Sequence, residues 1–504
     1  MFTDILNGLI SVCAPGPVLG IAGGILVGIA FGAIPGISGI MGIAILLPLT
    51  FYVDPLIGIP MLLGIYKAGI FGGSISAILL NTPGAPPAIC TSMEGYPLAR
   101  QGKAGKALHT ALSASVFGDT FSNLLLIFVA APLSLFTLKI GSAEQFSLII
   151  LALTVVGSIS GPSLIKGIIS CCLGILVSTI GISESTGATR FTFGMQDLAS
   201  GLSLIPMVIG LLCLPEVIHQ VSLGLRKTMR MTLRAAHPDD DHMTWAEFKA
   251  CIPIMLRSSL IGSFLGAMPG IGATPAAFMS YSEARRTSRH PEKFGQGAIE
   301  GVMAPEAANN AVTGSAMIPL LTLGIPGDDV TAVLMGAFII QGITPGPMIF
   351  QEHAQLVYGI FGGLLICDVL LYFIAKAGFR IWARLSRLPK YVIFSAVTVF
   401  SFVGAYSINQ SMFDIMTLIL FGIIGYFVRR WHYSAGAFII GFVLGPIWER
   451  AFDQSMVLSD GSFMIFIESP ISAVLLALAL FSGICIAMTR RRQPRLAAAA
   501  GSVE

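Results

Sequence analysis

A Pro-Gly motif that interrupts apolar sequence occurs twice in this chain. The first copy reads GAIPGISG over residues 32–39, and the second reads GAMPGIGA over 266–273. Each copy is followed by another break, NTPG at 81–84 and GIPGDD at 324–329. In lipid such breaks leave backbone groups without helical partners, so the backbone there must be buried in protein or line a watery cavity. Paired interruptions in two halves are typical of the substrate site of a secondary transporter.

The interrupted stretches belong to a strongly apolar chain. Of 504 residues, 55% are hydrophobic and 11% are charged, whereas soluble domains carry roughly 25% charged residues. Runs such as 198–218 and 471–488 are long enough to cross a hydrocarbon core of ~30 Å. The sequence predicts an all-α polytopic membrane protein with about twelve hydrophobic segments. Residues 1–15 contain no Lys or Arg and so lack the basic region of a signal peptide, and we expect this segment to be retained.

The loop charges predict that the two halves are inverted. The basic loop 100–106 corresponds to 342–355 in the second half, which has no Lys or Arg, and the basic loop 285–293 corresponds to 50–56, which also has none. Cytoplasmic loops are enriched in Lys and Arg, so equivalent loops lie on opposite sides of the membrane. The alternative is chance recurrence, since the chain contains 57 Gly and 28 Pro.

This interpretation gives a domain plan. It predicts a first inverted repeat over 15–222, a cytoplasmic polar linker over 223–250, a second inverted repeat over 251–446 and an extra C-terminal transmembrane helix over 464–488. Each repeat contains broken or re-entrant helices. The N-terminus is predicted to be periplasmic and the C-terminus cytoplasmic.

Composition and motifs argue against several other functions. The net charge of +3 follows from basic loops between spans, so it does not indicate nucleic acid. The eight cysteines form no C-x-x-C pair and are expected to be small core residues. No zinc-protease, nucleophile-elbow or P-loop motif is present. The Asp and His run at 237–242 is better explained as a solvated linker than as a metal site, and no cofactor or metal centre is expected.

Polar and small residues around the breaks form the predicted binding site. A half-helix that begins at a break presents free N–H groups, which favour carboxylates, and the opposite end presents carbonyls, which favour cations. The alternative is that small residues only bring helices close. The predicted substrate and ion site consists of Gly36, Ser38, Lys67, Ser74, Asn81, Thr82, Gly84, Gly270, Thr274, Asn309, Asn310, Thr313, Ser315, Gly327, Asp328 and Asp329. A sodium site is considered near Asn310 and Asp329.

Ionisable residues inside apolar segments are functional candidates because charge is costly in a membrane. Lys67 is expected to counter a substrate carboxylate, and Asp328 and Asp329 to bind a coupling ion or pair with a basic group. Asp119 and Asp368 occupy nearby positions in equivalent helices. For these two, helix pairing and proton handling remain alternatives.

Three strings carry a resemblance to a known family. They read GAMPGIGA at 266–273, APEAANNA at 304–311 and PLLTLGIPG at 319–327. In these strings and over nearly its whole length, the chain resembles the large membrane subunit of the tripartite tricarboxylate transporters, the TctA-like proteins.

The resemblance implies a permease of the bacterial cytoplasmic membrane that works with a small four-helix membrane subunit and a periplasmic solute-binding protein. It also implies uptake of citrate or another carboxylate, coupled to H⁺ or Na⁺. Our hypothesis is elevator-like alternating access around the Pro-Gly breaks. The rival classes are a gradient-dissipating anion channel and a membrane-embedded enzyme. The carboxylate, the coupling ion, its stoichiometry and the oligomeric state are open at this point.

Overall fold

A computed structural model describes residues 2–159, 163–183, 185–222, 242–385 and 390–484. In this part of the chain nearly all regular structure is helical, apart from one two-stranded antiparallel ribbon that pairs Gly181 with Arg190. The described residues include nine helices long and apolar enough to cross a membrane, and five shorter apolar helices. The predicted all-α polytopic membrane fold is confirmed.

The helices are numbered in chain order. They are α1 (Phe2–Val12), α2 (Pro15–Ala33), α3 (Gly39–Thr50), α4 (Pro55–Leu80), α5 (Ala88–Leu98), α6 (Ala104–Thr137), α7 (Ser142–Ile159), α8 (Leu164–Ser178), α9 (Leu204–Ser222), α10 (Trp245–Gly266), α11 (Ala273–Thr287), α12 (Ile299–Ser315), α13 (Met317–Leu323), α14 (Asp329–Ile340), α15 (Ile349–Glu352), α16 (Ala354–Leu385), α17 (Lys390–Asn409), α18 (Met412–Arg430), α19 (Ala435–Leu458), α20 (Ile465–Glu468) and α21 (Pro470–Ile484). The strands are β1 (Gly181–Ile182) and β2 (Thr189–Arg190).

The chain divides into two compact units. Unit 1 comprises Met1–Leu135, Ser203–Met268 and Gly272–Tyr426, and unit 2 comprises Phe136–Leu202, Pro269–Ile271 and Phe427–Glu504. Unit 1 contains the helices that carry most of the predicted site. In unit 2, α8 packs against α7 and α19.

Parts of the predicted domain plan lie outside the described residues. The predicted linker 223–250 is described only from residue 242, where Thr244 and Glu247 form a capping box at the start of α10. The predicted C-terminal helix 464–488 is described up to residue 484 and comprises α20 and α21. Of the described cysteines, five are buried and two, Cys13 and Cys172, are exposed.

Corresponding breaks of the two halves have the same backbone conformation. Gly36 and Gly270, in the first breaks, have φ of +90° and +84°. Asn81 and Gly324, in the second breaks, end α4 and α13 in the left-handed region, with φ of 51° and 69°. This region is open to glycine and is adopted more often by Asn than by most other residues, so the residue types at the breaks explain their geometry. The inverted orientation of the halves stays a prediction.

A stripe of glycines joins α2 to α4. It consists of Gly20, Gly24, Gly28 and Gly32, one every four residues, and it faces Ile57, Met61, Ile65 and Gly69. A Cβ on Gly24 would lie 2.1 Å from the carbonyl oxygen of Met61, and one on Gly32 would lie 2.2 Å from that of Gly69. Small residues at this spacing let helix backbones approach closely in membranes.

This contact makes a direct prediction. Gly24→Ala should destabilise the protein by about 1–3 kcal/mol, because the added methyl forces α2 away from α4. The matched control is Gly23→Ala, since a Cβ at Gly23 meets no atom within 4 Å, and alanine is the better helix former. The midpoints of thermal unfolding in detergent micelles would test this. Equal midpoints for both variants would contradict the packing.

Candidate functional site

A buried lysine lies between two aspartates in unit 1. Lys67 on α4 donates a hydrogen bond to Asp368 Oδ1 on α16, and its Nζ is 3.7 Å from Asp119 Oδ1 on α6. All three side chains are almost completely inaccessible. We call Lys67, Asp119 and Asp368 the lysine cluster. The ammonium expected to counter a substrate carboxylate is thus bound to carboxylates of the protein itself.

Neutral side chains complete the hydrogen bonding of this cluster. Thr120 Oγ1 and Asn123 Nδ2 both donate to Asp368 Oδ2, at 3.1 and 2.7 Å. Thr313 on α12 donates to Asp119 Oδ1. The cluster therefore ties together α4, α6, α12 and α16, which come from both halves of the sequence.

The lysine cluster has an unbalanced formal charge. One ammonium faces two carboxylates, so with all three groups ionised the cluster carries one net negative charge in a water-poor interior. A buried charge is stable only when it is paired and hydrogen-bonded. The cluster is therefore suited to take up one further positive charge.

A second buried carboxylate lies on α12. Glu306 is completely buried and accepts hydrogen bonds from three hydroxyl groups: Ser74 on α4, Thr91 on α5 and Ser115 on α6. We call these three residues the hydroxyl cradle. Hydrogen bonds to a charged group are each worth about 1.5–3 kcal/mol, so the cradle stabilises a carboxylate without a cation.

The same face of α12 continues from Glu306 toward the lysine cluster. Asn310 Nδ2 donates to the Glu306 carbonyl at 3.0 Å and to Asn309 Oδ1 at 2.5 Å. Thr313 Oγ1 donates to the Asn310 carbonyl at 2.8 Å. The predicted site residues Asn309, Asn310 and Thr313 therefore lie together on α12 and are buried, between Glu306 and the lysine cluster.

The second break of the second half starts a capped helix. Asp328 is the N-cap of α14 and forms a capping box with Thr331. Its other oxygen accepts a hydrogen bond from the buried hydroxyl of Tyr66 on α4. The neighbouring Asp329 is exposed and accepts from the Val330 N–H at 3.1 Å. Asp328 thus has the geometry of a helix cap, and only Asp329 is open to a ligand.

The helices that follow the first breaks begin differently. Ser38 is the N-cap of α3 and Gly272, at the corresponding position of the second motif, is the N-cap of α11; neither makes a side-chain capping bond. The first N–H groups of a helix have no intrahelical partner and carry a partial positive charge. Ser38 and Thr274 are partly exposed there, so both helix starts suit an anion.

The glycines among the other predicted residues have packing roles in this structure. A Cβ on Gly84 would lie 1.9 Å from the Gly32 carbonyl oxygen, and one on Gly327 would lie 2.8 Å from Ala316. Gly36 lies against Gln220, and Gly270 belongs to unit 2, where it lies against Val156. Three hydroxyl and amide side chains remain: Asn81 is exposed, Thr82 donates to the Leu80 carbonyl, and Ser315 donates to its own helix.

The comparisons with known proteins decide the family. Residues 18–440 match the family described as the tripartite tricarboxylate transporter TctA family. The chain belongs to the TctA family. This confirms the resemblance found in the sequence, and the family is one of transporters rather than enzymes, as expected. Membership also implies a tripartite system with further subunits.

Two curated relatives of this TctA-family chain come from Agrobacterium vitis. One, an uncharacterized 52.8 kDa protein in the TAR-I ttuC' 3'region, is 38% identical over 463 residues, which cover 91% of this chain and 90% of the relative. The other, an uncharacterized protein in the TAR-II ttuC' 3'region, is 42% identical over 219 residues, which cover 44% of this chain and 90% of the relative. No solved structure matches this chain.

Several polar residues of this TctA-family chain were not among the predicted site residues. They are Tyr66, Thr91, Ser115, Asn123 and Gln220. Asp119 and Asn123 lie four residues apart on α6, a spacing that places them on one helix face and gives a signal in the sequence. The hydroxyl cradle has no such signal, because its members come from three different helices.

One further buried carboxylate anchors a loop. Glu94 on α5 accepts hydrogen bonds from Tyr281 at 2.8 Å and from the N–H groups of Gly295, Gly297 and Ala298. Burial raises the pKa of Tyr281 above its ordinary value. Glu94 therefore fixes the loop that leads into α12, which carries Glu306 and Asn310.

Two cavities of the TctA-family chain lie away from the predicted site residues. A cavity of about 540 Å³ in unit 2 is lined by Arg190 and Glu449, which form a two-bonded pair at 2.5 and 3.1 Å; this pairing raises the pKa of Arg190. A cavity of about 510 Å³ in unit 1 is lined by His109, His242 and Lys376. The buried carboxylates Asp119, Glu306 and Asp368 are more informative about transport, because they lie inside helices of an apolar chain.

Proposed function

We propose that this chain is the permease subunit of a tripartite uptake system in the bacterial cytoplasmic membrane. It carries a di- or tricarboxylate such as citrate by secondary active symport with H⁺ or Na⁺. A periplasmic solute-binding protein delivers the carboxylate, and a small four-helix membrane subunit completes the complex. Membership of the TctA family supports the transport of a tricarboxylate.

The observation that carries the location of the substrate is the contrast between helix starts at the breaks. Within the described residues, α14 begins with the carboxylate of Asp328 on its N-terminus, whereas α3 and α11 begin without a side-chain cap. A carboxylate is the group that stabilises such an N-terminus. We propose that substrate carboxylates bind at the starts of α3 and α11. They would occupy the position that the carboxylate of Asp328 occupies at the start of α14.

Transport then requires alternating access to these helix starts. Both are preceded by a glycine at positive φ, Gly36 and Gly270, and both lie next to breaks in apolar sequence. We propose elevator-like movement of one part of each repeat. An anion channel is the second candidate function, and it differs in passing substrate without accumulating it.

Ser38→Asp tests the substrate location. The introduced carboxylate would occupy the start of α3 as Asp328 occupies that of α14, and a repulsion of only about 1.4 kcal/mol lowers binding tenfold. We expect uptake into vesicles that contain all three subunits to fall about tenfold or more. The matched control is Ser38→Asn, an equally good cap without charge, which should keep uptake near the wild-type level.

The vesicle assay also separates the two candidate functions. Wild-type vesicles with an imposed H⁺ or Na⁺ gradient should accumulate a di- or tricarboxylate above the outside concentration. Equilibration without accumulation would identify a channel instead. Wild-type uptake by Ser38→Asp would remove α3 from the substrate site.

A further inference from the structure

Three buried oxygen atoms near the lysine cluster have no hydrogen-bond donor in the described part of the chain. They are Asp119 Oδ2, Asn123 Oδ1 and Asn310 Oδ1. Each of these residues is 0% exposed. A buried polar atom without a partner costs about 1–3 kcal/mol, so three of them in one region point to a group that binds all three.

The two amide orientations follow from their donors. Asn123 Nδ2 donates to Asp368 Oδ2 at 2.7 Å. Asn310 Nδ2 donates to the Glu306 carbonyl at 3.0 Å and to Asn309 Oδ1. Exchanging N and O in either amide would place an acceptor against an acceptor. The atoms without partners are therefore oxygens in both amides.

All three oxygens belong to residues that lie on or against residues 310–314 of α12. Thr313 Oγ1 donates to Asp119 Oδ1 and also to the Asn310 carbonyl, at 2.8 Å for the latter. Asn123 Oδ1 is 2.7 Å from the position of a Cβ on Gly314. Asn310 and Gly314 are four residues apart and so share one helix face. The missing side chain at Gly314 leaves room for Asn123 on that face.

We infer that Asp119, Asn123 and Asn310 form a binding site for one sodium ion. Carboxylate and amide oxygens are the ligands preferred by hard cations. A single positive charge also neutralises the net negative charge of the lysine cluster, whereas a divalent ion would leave the cluster with one net positive charge. Lys67 lies on the Oδ1 side of Asp119, which leaves Oδ2 for the ion.

A bound proton would satisfy this group less completely. A proton on Asp119 Oδ2 creates one donor and can serve only one of the two amide oxygens, so the other would stay without a partner. The inference rests on the proposed symport and names its coupling ion. It also differs from the sodium site considered in the sequence, because Asn310 is joined by Asp119 and Asn123 rather than by the exposed Asp329.

Binding of ²²Na⁺ to the purified full chain tests the site, with unlabelled Na⁺, K⁺ and choline as competitors. We expect saturable binding that Na⁺ displaces and choline does not, and about tenfold or more weaker binding by Asp119→Asn and by Asn310→Ser. The matched control is Ser263→Ala. Ser263 lies on α10, and its Oγ is another buried atom without a hydrogen-bond partner in the described part of the chain. This variant should bind Na⁺ as the wild type does.

A thermal unfolding curve without Na⁺ shows which variants are folded. If Asp119→Asn is not folded, Asn310→Ser still tests the site, because it changes no charge and replaces the carboxamide by a shorter hydroxyl group that does not reach the position of Oδ1. Absence of saturable ²²Na⁺ binding by the wild type, preference for K⁺, or unchanged binding by the folded variants would overturn the inference. Carboxylate accumulation driven by H⁺ alone in Na⁺-free vesicles would overturn it while the proposed function stands. Absence of carboxylate uptake with either ion would instead refute the proposed function.

Discussion

Lys67→Met should destabilise the protein by about 3–5 kcal/mol and abolish uptake. Lys67 is the only cation that the described structure pairs with Asp119 or Asp368, and removing one member of a buried ion pair leaves an uncompensated buried charge. Titration with SDS in mixed micelles would measure the loss as a shift of the unfolding midpoint. Uptake would be measured in vesicles with the companion subunits.

Two controls separate charge from side-chain size. Lys106→Met breaks the ion pair of Lys106 with Glu247. The two side chains of this pair are 14% and 32% exposed, so the substitution should cost less than about 1 kcal/mol. The triple variant Lys67→Met, Asp119→Asn, Asp368→Asn removes all three charges and should recover most of the stability but not the uptake. Full stability of Lys67→Met alone would show that the carboxylates do not need the ammonium.

Removing the hydroxyl cradle should be the second severe change. The variant Ser74→Ala, Thr91→Val, Ser115→Ala leaves Glu306 buried without its three hydroxyl donors. Each bond to a carboxylate contributes about 1.5–3 kcal/mol, so we expect a loss of more than about 3 kcal/mol and little folded protein. The yield of monodisperse protein and the SDS midpoint would both report it.

Adding Glu306→Met to this variant should restore folding. Replacing both partners of a buried hydrogen bond by apolar groups of similar shape is nearly neutral. Ser315→Ala is the matched single control. Within the part of the chain that the structure describes, Ser315 donates only to carbonyls of its own helix, so this substitution should cost about 0.5 kcal/mol or less. If the quadruple variant is as unstable as the triple one, the hydroxyl groups act through packing and not through Glu306.

The sequence was most informative where local chemistry decides the structure. The Pro-Gly motifs predicted the breaks, and the structure shows Gly36, Gly270, Gly324 and Asn81 there at positive φ, which few other residues adopt easily. The apolar runs predicted the helices. The family followed from strings around the same breaks, and both the fold and the family were confirmed.

The grouping of the charges could not be derived in the same way. Lys67 and Asp368 are separated by 301 positions, and α4 is apolar and buried on nearly all sides, so no amphipathic pattern shows which face carries Lys67 toward its partners. Asp328 and Asp329 were treated alike in the sequence. One is a buried helix cap and the other is exposed, because a single residue step at a helix start turns the side chain in a different direction.

The glycine stripe between α2 and α4 restricts how force is transmitted in this protein. Because their backbones touch at Gly24 and Gly32, neither helix can slide past the other by a residue without driving a side chain into a carbonyl group. The two helices must therefore move together as one rigid body. The Pro35-Gly36 corner at the end of α2 is then mechanically coupled to Lys67 on α4, so a displacement beside the proposed substrate position would also move Lys67 relative to Asp119, a ligand of the proposed sodium site.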